Sequence, residues 1–67
     1  MSNPILTEYP DGSKKWHFNG QLHWTAGPAV EYPNGRKQWW LNDKEYTEKK
    51  FNKIINAKVW HLLNHLL

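Results

Sequence analysis

Residues 8–20, EYPDGSKKWHFNG, return at residues 31–43 as EYPNGRKQWWLND. At a single offset of 23, Glu8 aligns with Glu31, Tyr9 with Tyr32, Pro10 with Pro33, Gly12 with Gly35, Lys14 with Lys37, Trp16 with Trp39 and Asn19 with Asn42. A repeat of this length is a supersecondary unit that cannot cover its own apolar face, so neighbouring copies stack and share one. That requirement shapes everything else in the chain.

Each copy reads as a hairpin. YPDG and YPNG place Pro where a turn needs φ near −65° and Gly where it needs φ above zero, between short β-prone runs: ILTEY and KKWHF, then AVEY and KQWWL. Asn19-Gly20 is a strong type I′ signal that returns KWHF into QLHWT. Asn42-Asp43 repeats it less securely, because Asp tolerates positive φ less well than Gly. Between the units, AGPA at 26–29 is a breaker that carries the chain onward.

Alternation along a strand puts Trp16 and Phe18 on one face, with Trp39 and Leu41 on the same face of the second copy. That face is the expected core. The opposite face carries Lys15, His17, Gln38 and Trp40, and is the expected working side. Composition supports an aromatic core. A chain of 67 residues buries only about 60% of the surface its unfolded form exposes, and no cysteine is present to cross-link it. Five Trp, three Tyr and two Phe supply the apolar area instead.

After Tyr46 the pattern becomes helical. Thr47 is a good N-cap, and Tyr46 can staple onto Phe51. Phe51, Ile54, Ile55, Val59, Leu62 and Leu66 form one stripe directed at the sheet, while Trp60, Leu63 and Leu67 form a second edge. The expected fold is therefore α+β: a small antiparallel sheet of repeated hairpins with one C-terminal helix packed on it. It is one domain, with hairpins at 5–27 and 28–46 and the helix at 47–67.

The motifs W-x-x-N-G-x-x-H (Trp16 to His23), G-P-A-x-x-Y (Gly27 to Tyr32) and Y-P-N-G-x-x-x-W-W-L-N (Tyr32 to Asn42) resemble variant MORN repeats. They are most similar to those of short bacteriophage repeat proteins. The resemblance spans residues 8 to about 46. It implies stacked hairpins that act as a contact surface, with no catalytic residues to carry over. Trp24 stands where the phage repeats have Arg, and Ala26 where they have Asp. Only two units are present where a self-supporting solenoid needs three or more, so the helix or a second copy must close the stack.

Charge and spacing bear on other chemistry as well. His61 and His65 have the i, i+4 spacing of a metal pair, but His17 and His23 lie far off in sequence and there is no Cys, so no metal or other cofactor is expected. Lys14, Lys15, Lys37 and Trp40 form the alternative surface, one that stacks single-stranded nucleic acid. Nine basic residues interleave with six acidic ones for a net charge of +3, which favours anionic partners only slightly. The serines lie in the N-terminal segment and a turn, and no nucleophile has an oriented base, so the chain reads as a non-enzyme. It also lacks a secretory leader pattern or a run of about 20 apolar residues, which leads to an expectation of a cytoplasmic protein without membrane contact.

The function expected is protein binding: a phage-type module that docks on a host protein, such as a nuclease or defence complex, and inhibits or modulates it. Trp24, Arg36, Lys37 and Trp40 are the expected contact residues. Trp60, Leu63 and Leu67 are the expected seam of a homodimer formed through the helix.

Overall fold

The structure is a computed structural model that describes residues 3–65, and side chains for residues 3–57. Its elements are β1 (Ile5–Glu8), β2 (Lys14–Phe18), β3 (Gln21–Leu22), β4 (Val30–Glu31), β5 (Lys37–Leu41), β6 (Lys44–Tyr46) and α1 (Glu48–His65). All strand pairs are antiparallel. The sheet runs β1-β2-β4-β5-β6, and β3 shares with β4 one edge of β2.

The sequence repeat is a register repeat. Glu8 opposes Lys14 and Thr7 opposes Lys15, just as Glu31 opposes Lys37 and Val30 opposes Gln38. His17 opposes Leu22 and Phe18 opposes Gln21, just as Trp40 opposes Glu45 and Leu41 opposes Lys44. The turns match bond for bond. Gly12 donates its N–H to the Tyr9 carbonyl at 2.9 Å and Gly35 to that of Tyr32 at 3.0 Å, with φ of +94° and +90° at the two glycines. Asp11 and Asn34 accept the N–H two residues on, from Ser13 at 2.8 Å and Arg36 at 2.9 Å, the Asx device that favours these residue types in turns.

Asn42-Asp43 forms the same left-handed turn as Asn19-Gly20, with φ of +50° and +66°. The weakness expected of Asp there is offset by contacts with the first hairpin. Leu22 donates its N–H to Asp43 Oδ1 at 2.7 Å, and Asp43 returns its own N–H to the Leu22 carbonyl at 2.9 Å. Beside them, Asn42 N–H bonds His23 Nδ1 at 3.0 Å and Trp24 N–H bonds the Trp40 carbonyl at 3.2 Å. The second turn thus clasps the end of the first hairpin.

The core differs from the expectation. Of the four residues assigned to it, only Leu41 is buried; Trp16, Phe18 and Trp39 are half-covered. Burial instead centres on the short middle strand. Ala29 and Val30 are 0% and 1% exposed, and Ala29, read as part of a breaker, accepts the Trp16 N–H at 2.8 Å and donates to the Gln38 carbonyl at 2.9 Å. Because β4 lies between β2 and β5, the two tryptophan-bearing strands sit two strand spacings apart, roughly 9–10 Å. Their indoles flank the middle strand and do not form one cluster. Val30, opposite both Lys15 and Gln38, belongs to the expected working face. Both faces therefore bury something.

The helix begins where its cap predicts. Thr47 Oγ1 accepts the Lys50 N–H at 3.2 Å, and its carbonyl accepts that of Phe51 at 2.9 Å. Phe51 is 3% exposed, and Ile54 and Ile55 are half-buried against the second repeat. Val59, Leu62 and Leu66 of the expected stripe, and the Trp60, Leu63 and Leu67 edge, lie outside the described residues. No described helix is long and apolar enough to cross a membrane.

Candidate protein-binding surface

The pairing assigns each candidate to a face. Lys14, Trp16, Glu31, Lys37 and Trp39 share the indole face; Lys15, His17, Val30, Gln38 and Trp40 share the other. The four expected contact residues do not form one patch. Trp40 is on one face and Lys37 on the other. Arg36 is exposed in the turn, bordering a shallow cavity of about 310 Å³ with Tyr32, Pro33 and Asn34.

Trp24 follows β3 and turns its ring flat onto Trp16, with centroids 3.7 Å apart and planes 2° from parallel. No periodicity marks it, because it lies outside a strand. Its aromatic type is the one signal the sequence carries. Trp40 is half-buried and donates Nε1–H to Gln38 Oε1 at 3.3 Å, so its indole is held in place.

The basic residues are divided too. Lys14 and Lys37 both oppose Glu31, which places a carboxylate between them in a cross-strand row. Lys15, on the other face, extends its ammonium over the Tyr9 ring at 5.3 Å. Four residues proposed to bind nucleic acid are thus separated by the thickness of the sheet.

The feature missed in the sequence is the partial exposure of Trp39. With Lys37 and Glu48 it lines two adjoining clefts. One, of about 360 Å³, is completed by Glu45, Tyr46 and Thr47. The other, of about 400 Å³, opens between Phe51 and the 25–28 loop. Trp39 had been assigned to the core by alternation, which identifies a face without saying how far the helix covers it.

Titratable groups serve local structure. Hydrogen bonds from Ser13 hold the fully exposed Asp11 carboxyl below its ordinary value. His23 Nδ1 accepts a backbone N–H, which leaves the ring proton of the neutral form on Nε2. Among the described residues no three His, Asp or Glu side chains gather as a metal site; the side chains of His61 and His65 lie outside them. No protein-family model matches this chain, and no curated protein or solved structure matches it either.

Proposed function

We propose that this protein is a non-catalytic binding module that docks on a host protein, such as a nuclease or defence complex, and inhibits or modulates it. The observation that carries the reading is the pair Trp39-Trp40. Adjacent in one strand, they present a half-covered indole on each face of a thin sheet, one fixed by Gln38 and the other set between Lys37 and Glu48. Immobilised, partly exposed tryptophans bordered by charge are what interface hot spots are made of. The phage setting comes from the family resemblance alone.

Nucleic-acid binding is the weaker reading, since Lys14 and Lys37 are on the opposite face from Lys15 and Trp40 and have Glu31 between them. A pull-down from host lysate with wild type, Trp40→Ala and Lys37→Glu tests the proposal. A protein retained by wild type, lost from a folded variant, and bound again as a purified component in calorimetry supports it. Equal retention by all three removes the docking surface. Oligonucleotide binding that weakens steeply with added salt would favour the rival instead.

A further inference from the structure

The junction between the two repeats shows what a free edge of this sheet is built to receive. There, β4 lies along the first half of β2, with Glu31 opposite Lys14, Val30 opposite Lys15, and the Trp16 N–H on the Ala29 carbonyl at 2.8 Å. In the first repeat the same place is held by β1, which among the described residues pairs with β2 only. Leu6, in the position of the buried Ala29, is 38% exposed, and Ile5 beside it 63%. Trp16 directs both its N–H and its carbonyl away from β1, to Ala29 and His23. Leu6, directly across from it, therefore turns its own backbone groups outward.

The other end carries the complement. β5 pairs with β6 through Trp39, Trp40 and Leu41 only. The edge beside Lys37 and Gln38 is the one that in β2 carries β4. Here it has no strand among the described residues, and the cleft of about 360 Å³ lined by Lys37, Trp39, Glu45, Tyr46, Thr47 and Glu48 opens next to it, with the helix start on its far side. Among the described residues the molecule thus bears an open strand edge at one end and a vacant strand position at the other.

We propose that a second copy of this chain inserts its β1 at that position, head to tail. Glu8 then opposes Lys37 of the second copy and Thr7 opposes Gln38; the joint ends there, because Trp39 is already paired with Tyr46. The charge row is complementary: Glu8 lies between two lysines, as Glu31 does between Lys14 and Lys37. Leu6 comes onto the same face as Trp39, and Ile5 onto the opposite one. Such a contact is heterologous, and it propagates as an open chain unless an end is blocked. This assembly stands independently of any host partner.

Sedimentation of the full chain over a concentration series tests it. Wild type is expected to grow past dimer as concentration rises. Glu8→Lys and Lys37→Glu each place like charges across the junction and weaken association about tenfold. Mixed one to one, they recover association and grow past dimer again as an alternating chain, because Lys37 of the first variant meets Glu8 of the second and the two substituted positions also pair opposite charges. Circular dichroism from the Trp16–Trp24 stack reports that each variant is folded. If Lys37→Glu loses that signal, Lys37→Gln is mixed with Leu6→Lys, whose altered side chain is already exposed. A wild type that stays monomeric into the millimolar range overturns the proposal. So does growth that both single variants leave unchanged, or a mixture that does not recover it.

Discussion

Trp24 and Thr47 hold the same place in the two repeats, 23 residues apart, and there the repeats part. Up to that point the hairpins match in register, turn geometry and turn bonds. Trp24 keeps the backbone extended far enough to bond Trp40 and lays its ring on Trp16. Thr47 offers a hydroxyl where Trp24 offers an indole, caps Lys50, and starts a helix. The first repeat indole is covered by another indole, the second is flanked by Phe51. A shared frame sets the geometry, and one position decides whether the chain goes on to another hairpin or stops.

The strongest way to break this comparison is Phe51→Ala. Removing a buried aromatic from the helix costs about 3–5 kcal/mol, and in a domain this small that is comparable to its whole stability. Urea denaturation should give a midpoint near zero, with helical circular dichroism lost first. Trp24→Thr makes the first repeat resemble the second at the point of divergence. It should remove the tryptophan exciton signal and about 2 kcal/mol, since stacking adds roughly 0.5–1.5 kcal/mol to the area term.

Asp43 separates turn geometry from clasping. Asp43→Ala loses the acceptor for Leu22 while keeping positive φ, and should cost about 1–2 kcal/mol in the same denaturation assay. Asp43→Asn keeps both an acceptor and tolerance of that φ, and should be near neutral. The smallest effect is expected from acid. Asp11 is held below its ordinary value of 3.8 by Ser13, so its contribution is present above that value and is lost as pH falls through the depressed one. A urea midpoint followed from about pH 5 to about pH 2 should fall less steeply in Asp11→Asn, which keeps the acceptor that Asn34 provides in the second turn.

What was legible from sequence was whatever depends on local chemistry or strict period. The offset of 23 yielded the pairing, the Pro and Gly positions yielded the turns, and Thr47 marked the helix start. Which strand is central was not legible, because alternation assigns faces without ordering strands. Ala29 and Val30 are buried by their position between β2 and β5, while larger side chains further out remain half-covered. Trp24 and Asp43 were opaque for a related reason. Their roles lie in contacts between the hairpins, which no pattern within either one encodes. The proposed contact residues were chosen by type, and strand parity then distributed them over two faces.

The clasp between Asp43 and Leu22 has an architectural consequence. It joins the second turn of one unit to the last strand of the unit before it, so nothing in its geometry counts how many units there are. A tandem duplication of residues 5–27, inserted after Gly27 and carrying Gly20→Asp in the inserted copy, would meet its neighbours through the same kind of joint on either side. Elongation by whole hairpins would leave the terminal strand and the capping helix as they are, and the length of the sheet becomes a quantity set by genetic copying rather than by the fold.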